Sequence, residues 1–192
     1  MHDYRIDSAG WCLKARQVAS PNCDERTTAV DMVVIHNIHL PPQAAGATEF
    51  GGEDIERLFT NRLNPADHES YAELAKLRVS AHFLIRRDGE LIQFVSCNQR
   101  AWHAGVSCWQ GRERCNDFSV GIELEGSDFV PFEAIQYAVL EKLLSALTER
   151  YPVQHLVGHQ EIAPERKSDP GPFFDWAKLA NQFGQLRQTA VE

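Results

Sequence analysis

Two histidines and one aspartate occupy positions where a metal site can form. His36 ends the short apolar segment 32–35, and His159 ends the segment 156–158, so both follow sequences typical of buried strands. Asp169 comes ten residues after His159, in a loop that contains proline. Two imidazoles and one carboxylate suit zinc, and three protein ligands leave a fourth position for water, as in catalytic zinc sites. The sequence therefore predicts a catalytic metal site. The alternative is that each histidine is an ordinary, hydrogen-bonded residue at a strand end.

The other six of the eight histidines fit roles outside a metal site better. Some lie in or beside predicted strands, where a neutral, hydrogen-bonded ring is the usual state, and the rest lie in polar loops. We expect a structural role for His82, His103 and His155, and solvent exposure for His2, His39 and His68.

Metal-assisted hydrolysis also needs a base for the water molecule and a cation for the developing oxyanion. Segment 119–125 alternates, so Glu123 and Glu125 share the face of a strand that the apolar residues do not use. Gly121 on that face is expected to leave space for a substrate. Periodicity does not choose between the two glutamates, and a solvated sheet face is the alternative for both. Lys167, close to Asp169, is the candidate cation, and an exposed loop lysine is its alternative.

The elements that must position these residues alternate along the chain. Short β-rich segments are separated by helical ones, which predicts an α/β (α+β) fold in a single domain, 1–192, with a central mixed β-sheet flanked by helices. Residues 1–28 are polar and rich in turn formers, so we expect an irregular N-terminal arm, with room for one short element around 11–18. The predicted strands are 29–35, 101–104, 119–125 and 155–158, with a hairpin joining 79–86 to 91–96, and the predicted helices cover about 55–63, 133–151 and 174–186.

Composition excludes several classes of protein. The formal net charge of −8 argues against a nucleic-acid partner, because binding to a phosphate backbone depends on Lys and Arg. Five cysteines form an odd set with no C-x-x-C pair, which fits neither a disulfide framework nor a thiolate zinc ribbon. Residues 1–20 contain no apolar core of the length that a secretory signal needs, and no segment approaches a membrane span. We therefore expect a cytoplasmic protein with reduced thiols and no membrane contact.

Seven segments resemble a known family, and the resemblance covers the chain from about Trp11 to Trp176. They read VIHN (34–37), VSAH (79–82), RAWHAGVS (100–107), GRERCNDFS (111–119), GIELEG (121–126), GH (158–159) and APERKSDPGP (163–172). The family is that of the AmpD-type 1,6-anhydro-N-acetylmuramyl-L-alanine amidases. It belongs to the zinc amidases related to peptidoglycan-recognition proteins and T7-type lysozyme. The resemblance implies a central mixed sheet flanked by helices. The chain departs from the family pattern at Ser168 and in a loop around residues 44–49 that is longer than expected.

The resemblance also assigns roles to residues of the site. It implies that Zn²⁺ is held by His36, His159 and Asp169, that Glu123 is the catalytic glutamate, and that Lys167 lies near the metal. The residues that by resemblance line the groove for sugar and peptide are Asn37, Arg78, Trp102 and Arg114. Cys115, beside the last of these, receives no role.

The implied substrates are soluble 1,6-anhydromuropeptides, which are cut during cell-wall recycling between the muramyl lactyl group and L-alanine. Two alternatives remain: an amidase that acts on polymeric peptidoglycan, or a non-catalytic module that only binds peptidoglycan. Filled ligand positions argue against the second alternative. A monomer is favoured, although the sequence leaves the oligomeric state unknown.

Overall fold

A computed structural model of the chain describes residues 4–42 and 49–187, which form ten strands and five helices. The strands are β1 (Arg16–Gln17), β2 (Cys23–Glu25), β3 (Met32–Ile38), β4 (Phe83–Ile85), β5 (Leu91–Gln93), β6 (Gln99–Ala101), β7 (Cys108–Trp109), β8 (Arg112–Glu113), β9 (Ser119–Glu125) and β10 (His155–Gly158). The helices are α1 (Asp54–Phe59), α2 (Tyr71–Leu74), α3 (Ala134–Arg150), α4 (His159–Ile162) and α5 (Ala177–Phe183), and 3₁₀ turns cover Cys115–Asp117 and Gly184–Leu186.

Six strands form the central sheet, in the order β1-β5-β4-β9-β3-β10. Only β4 and β5 pair antiparallel, and the other neighbours are parallel, so the sheet is mixed. Two further pairs, β2 with β6 and β7 with β8, lie outside it. The predicted central mixed sheet flanked by helices is confirmed.

One face of the sheet packs against the long helix α3. Alternate side chains of β3, β4 and β9 meet the apolar stripe of α3 in one buried cluster, which includes Val33, Ile35, Phe83, Ile122, Leu140 and Leu144. The buried amide of Gln136 ties this helix to the sheet, because its Nε2 donates to the carbonyls of Ile85 (3.1 Å) and Glu125 (3.0 Å). The α3 face is therefore committed to the core, and polar side chains of these strands point to the opposite face.

The opposite face carries two smaller apolar clusters. The first includes Ile55, Phe59, Leu84, Ile92 and Phe94, and the second includes Met32, Val34, Trp109, Val157 and Ile162. Register across the sheet aligns Leu84 of β4 with Glu123 of β9, and Glu123 with His36 of β3. The polar pair Glu123 and His36 therefore lies between the two apolar clusters.

The N-terminal arm is more ordered than the sequence predicts. Within the segment expected to be irregular, β1 adds a parallel edge strand beside β5, β2 pairs with β6, and Ile6 forms a bridge with Cys12. The buried amide of Gln93 also holds this segment, since its Oε1 accepts from the Cys12 N–H at 2.7 Å and its Nε2 donates to the Gly10 carbonyl at 2.8 Å. Strand β1 lies within the short element expected around 11–18, whereas β2 was not predicted, because it is held by backbone pairing rather than by apolar side chains.

The other predicted elements are present with shifted ends. The strand predicted at 29–35 continues to Ile38, because its pairing with β9 extends through Glu125. The hairpin, the strands at 119–125 and 155–158 and the long helix are confirmed, whereas the strand predicted at 101–104 lies earlier, as β6. Residues 43–48, which make up most of the loop predicted to be long, lie outside the described residues. Among the described helices, none has the length and apolar character needed to cross a bilayer.

Candidate metal centre and active site

Three potential ligand atoms meet where β3 and β10 lie side by side. Ile35 of β3 pairs with Gly158 of β10, and a histidine follows each of these two residues. His36 lies within β3, and His159 begins α4. His36 Nδ1 is 3.0 Å from His159 Nδ1 and 2.9 Å from Asp169 Oδ2. The remaining pair, His159 Nδ1 and Asp169 Oδ2, is 3.0 Å apart. The structure thus brings together the three residues that the sequence singles out as metal ligands.

The loop that carries Asp169 is held against the end of β10. A Cβ atom on Gly158 would lie 2.7 Å from Pro170 Cδ, so the absence of a side chain lets the proline ring approach the strand. Asn37 Nδ2 donates to the Pro170 carbonyl at 3.0 Å and to Asp128 Oδ1 at 2.7 Å. Both amide hydrogens of this predicted substrate-binding residue are therefore used inside the protein, where they fix the aspartate loop.

The hydrogen bond on the far side of His159 determines which ring nitrogen faces the cluster. Its Nε2 is 3.0 Å from the Ala104 carbonyl, which only accepts hydrogen bonds, so Nε2 carries the hydrogen. With this hydrogen on Nε2, Nδ1 is the ring nitrogen left to face Asp169 Oδ2 and His36 Nδ1. Arg166 Nη2 donates to the same carbonyl at 2.8 Å and braces this contact.

Electrostatics favour the forms of these groups that bind metal ions. Burial lowers the pKa of His36 to about 4, so this imidazole is neutral at pH 7. For Asp169, burial raises the pKa, but close contact with the rings of His159 and His36 outweighs burial and holds the pKa below its usual value. Neutral imidazoles and an ionised carboxylate are the states that coordinate metals. The three groups thus direct electron pairs into one small space and form a set that could hold a metal ion.

The two candidate glutamates differ sharply in their surroundings. Glu125 is fully engaged: its carboxylate accepts from Arg86 Nη1 (3.1 Å), from the Arg87 N–H (3.1 Å) and from the Gly51 N–H (2.9 Å). Glu123 is also buried, but its Oε2 has no hydrogen-bond partner among the described residues. A buried polar atom without a partner is rare and calls for an explanation. The solvated sheet face that was the alternative for both residues is excluded.

Burial also alters the acidity of Glu123. It raises the pKa of this carboxyl well above the usual value, the charge of Asp169 adds to the rise, and the charge of Lys167 opposes it. Lys167 itself is exposed, and its side chain contacts no partner within the described part of the chain.

The expectation that Gly121 leaves space for a substrate is wrong. The ring of His103 fills that space, since a Cβ on Gly121 would lie 2.4 Å from His103 Cγ. His103 Nδ1 is also 3.0 Å from His36 Nε2, so this histidine supports the cluster from behind. Sequence reasoning assigned His103 an ordinary structural role, and no spacing signal links it to His36, which is 67 residues away.

The remaining predicted groove residues form one linked set and one separate residue. Trp102 Nε1 donates to Asp24 Oδ2 at 2.7 Å, and Arg100 bridges Asp24 to Asp117, which pairs with the exposed Arg114 at 3.2 Å. Arg78 is exposed, and its guanidinium contacts only carbonyls of the preceding turn, such as that of Leu77 at 3.1 Å, among the described residues. Cys115, next to Arg114, is buried in the second apolar cluster rather than in a groove.

Comparison with known proteins gives consistent matches. Residues 26–172 match the family of N-acetylmuramoyl-L-alanine amidases. The 1,6-anhydro-N-acetylmuramyl-L-alanine amidase AmpD of Citrobacter freundii is 53% identical over 174 residues, which cover 88% of this chain and 90% of that protein. A crystal structure of a selenomethionine derivative of AmpD is 51% identical and superposes with a TM-score of 0.85, over 94% of this chain and 98% of the other.

A more distant likeness concerns the fold alone. Drosophila PGRP-LB is 18% identical and has a TM-score of 0.61, over 93% of this chain and 99% of the other. The peptidoglycan-recognition-protein and amidase-like fold predicted from the sequence is therefore confirmed.

Proposed function

The chain belongs to the N-acetylmuramoyl-L-alanine amidase family, and we propose that it hydrolyses the amide bond between the lactyl group of anhydro-N-acetylmuramic acid and L-alanine in 1,6-anhydromuropeptides. This reaction belongs to cell-wall recycling. The relatives that carry this activity in their names share about half of their residues with the chain over most of its length.

One observation carries the proposal for the site: a buried carboxyl whose Oε2 has no hydrogen-bond partner among the described residues lies in register with a converging His-His-Asp cluster. Glu123 and His36 are aligned on adjacent parallel strands, so their side chains share one sheet face. Amide hydrolysis needs an electrophilic centre and a group that moves protons beside it. The cluster and Glu123 supply these two functions, whereas Glu125 is engaged by Arg86.

Zinc fits the ligand set. His36, His159 and Asp169 would hold it, since two imidazole nitrogens and one carboxylate oxygen are a set that catalytic zinc uses, with one position left open. A bound zinc ion would polarise the substrate carbonyl and lower the pKa of a water molecule towards neutrality.

Glu123 is the group that moves the proton. Its carboxyl takes a proton from the attacking water and then delivers it to the nitrogen of the departing L-alanine amine, so it serves first as base and then as acid. Burial suits it to this work, because the raised pKa makes the carboxyl a stronger proton acceptor than an exposed glutamate. Lys167 places a positive charge near the reacting carbonyl, where negative charge develops.

Four residues are proposed to contact the sugar and peptide: Asn37, Arg78, Trp102 and Arg114. Both arginines are exposed, and a guanidinium can pair with a peptide carboxylate through two parallel hydrogen bonds. Trp102 offers an aromatic surface for the sugar, and Asn37 retains its carbonyl oxygen for a substrate N–H. We further propose a cytoplasmic, monomeric enzyme that acts on soluble muropeptides.

The decisive experiment compares two substrates. Purified protein with zinc is given a soluble anhydromuropeptide or intact sacculi, and release of the L-alanine peptide is followed by chromatography. We expect rapid turnover of the soluble fragment and little release from sacculi. Faster release from sacculi would establish the polymer-cutting alternative, and binding without hydrolysis of either substrate would establish the binding module.

A further inference from the structure

His36 makes a second contact on the side away from the Asp169 carboxylate. Its Nε2 is 3.0 Å from His103 Nδ1, and His103 Nε2 is 3.1 Å from Ser119 Oγ. Ser119 is fully buried, and its Oγ is 2.6 Å from the carbonyl oxygen of Cys115. Four groups thus form one hydrogen-bonded chain that ends on His36.

The direction of every hydrogen bond in this chain follows from its last member. A carbonyl oxygen only accepts, so the single hydrogen of the Ser119 hydroxyl points to Cys115. Ser119 Oγ must then accept from His103, which places the hydrogen of the neutral His103 ring on Nε2. His103 Nδ1 is left as an acceptor and takes a hydrogen from His36 Nε2. The lone pair of His36 Nδ1 therefore faces His159 and Asp169.

The backbone around His103 is shaped to hold the ring in this position. A Cβ on Gly121 would lie 2.4 Å from His103 Cγ and 2.6 Å from its Nδ1, so only glycine admits the ring. Asn116 Oδ1 accepts from the backbone N–H of His103 at 3.1 Å and from that of Ala104 at 2.8 Å. Contacts on two sides therefore fix His103 in position.

We propose that His103, oriented by Ser119, is a positioning residue that holds His36 as the Nε2–H tautomer and so keeps Nδ1 available for the metal ion. His159 obtains the same tautomer from the Ala104 carbonyl, so each ligand imidazole has its own outer partner. This inference rests on the proposed function, in which these histidines hold zinc.

Zinc affinity is the first test. The dissociation constant of the folded protein for Zn²⁺ is measured by competition with a chromophoric chelator. His103→Leu removes the acceptor and should weaken binding by about 10- to 100-fold, the range found when an outer partner of a metal-binding histidine is lost. His103→Asn keeps an acceptor, Oδ1, where Nδ1 stood, and should recover most of this loss. Equal affinities of His103→Leu and the wild-type protein would overturn the proposal.

A matched variant separates positioning from general damage. His82 is a buried histidine in edge contact with His103, at 5.7 Å between ring centroids, but its side chain contacts Gly121 N, the Gln99 carbonyl and Arg26 rather than the ligand cluster. We expect His82→Leu to lower the unfolding temperature and leave zinc affinity unchanged. If His82→Leu weakened zinc binding as much as His103→Leu, a specific role for His103 would be refuted. Should His82→Leu fail to fold, the comparison of His103→Asn with His103→Leu still decides.

A spectroscopic measurement reports the tautomer directly. In metal-free protein with ¹⁵N-labelled histidine, long-range ¹H–¹⁵N spectra should show the His36 hydrogen on Nε2, and Ser119→Ala or His103→Leu should allow the other tautomer to appear. A His36 hydrogen on Nδ1 in the wild-type protein would refute the proposal. His36→Ala provides the reference. If this variant binds zinc normally, the proposed zinc site is wrong. If it loses zinc while His103→Leu binds zinc normally, only the positioning role of His103 is rejected.

Discussion

Replacing Glu123 by glutamine should abolish turnover while it stabilises the metal-free protein. Glutamine has nearly the same shape as glutamate but cannot accept a proton, so the variant loses the base without opening a cavity. General acid–base groups contribute about 10²- to 10⁴-fold to rate. We therefore expect kcat to fall by two to four orders of magnitude, which corresponds to about 2.7–5.4 kcal/mol of activation free energy. Zinc content should remain unchanged, because Glu123 is not one of the three clustered ligands.

The expected gain in stability follows from the acidity of Glu123. In the unfolded chain a glutamate titrates near pH 4.3, whereas burial raises the pKa of the Glu123 carboxyl in the folded protein. Below pH 4.3 the carboxyl is protonated in both states and does not affect the pH dependence. As the pH rises towards the folded-state pKa, the unfolded state ionises more readily, so the free energy of unfolding of the wild type decreases. Glutamine does not titrate, so the variant should gain stability relative to the wild type as the pH rises over this interval.

Glu125 supplies the matched control. Its carboxylate accepts hydrogen bonds from Arg86, Arg87 and Gly51, so Glu125→Gln should lower the free energy of unfolding by about 1.5–3 kcal/mol, as expected for hydrogen bonds to a charged group. The remaining folded protein should retain measurable turnover.

Stopped assays of peptide release measure kcat, and chemical denaturation of the chelated proteins at several pH values measures stability. If Glu123→Gln kept near-normal turnover while Glu125→Gln was inactive though folded, the assignment of the base would be wrong. If the metal-free Glu123→Gln protein were less stable than the wild type at neutral pH, the argument that burial disfavours the ionised Glu123 carboxyl would be refuted.

Three further outcomes test other parts of the structure. Chelation should abolish activity and lower the unfolding temperature. Zinc at 1,000 times its dissociation constant should restore about 4 kcal/mol of unfolding free energy, measured by thermal or chemical unfolding. An unchanged unfolding curve would argue against a metal centre. Lys167→Gln should lower kcat roughly ten- to hundredfold. This loss is smaller than that expected on removing an enclosed oxyanion donor, because the lysine is exposed. The control Lys178→Gln, on α5, should behave as the wild type in the same assay. Gly121→Ala should lower the free energy of unfolding by about 1–3 kcal/mol, because its Cβ would overlap the His103 ring. The control Gly184→Ala should cost little in the same denaturation experiment, because nothing lies within 4 Å of its new Cβ.

Strand periodicity predicts which residues share a face but not what covers that face. The alternation at 119–125 correctly separates Glu123 and Glu125 from their apolar neighbours, and the structure confirms the strand. Both carboxyls are nevertheless buried, which periodicity within one strand does not reveal. The difference between the two depends on Arg86 and on the loop at Gly51, and neither contact is visible in the spacing of residues within one strand.

The ligand positions were accessible to sequence reasoning for a physical reason. His159 directly follows β10, and His36 lies two residues before the end of β3, and the carboxyl ends of parallel strands come together at one edge when the strands are neighbours. Sequence does not show, however, that β3 and β10 are neighbours, since 123 residues separate His36 from His159. The approach of Asp169 depends in addition on Gly158, whose missing side chain admits Pro170. The resemblance to the amidases provided this long-range information.

The placement of the site follows from an unequal division of the sheet. Helix α3 is long enough to cover one face with a continuous apolar cluster, so that face provides most of the core. The other face is covered by short elements and loops in two separate clusters, and the row that contains Glu123 and His36 runs between them. Polar groups in such a row are shielded from bulk water, which raises the pKa of Glu123 and lowers that of His36. Desolvation of this row therefore makes Glu123 a stronger proton acceptor and keeps His36 neutral, and both effects suit the proposed metal-assisted amide hydrolysis.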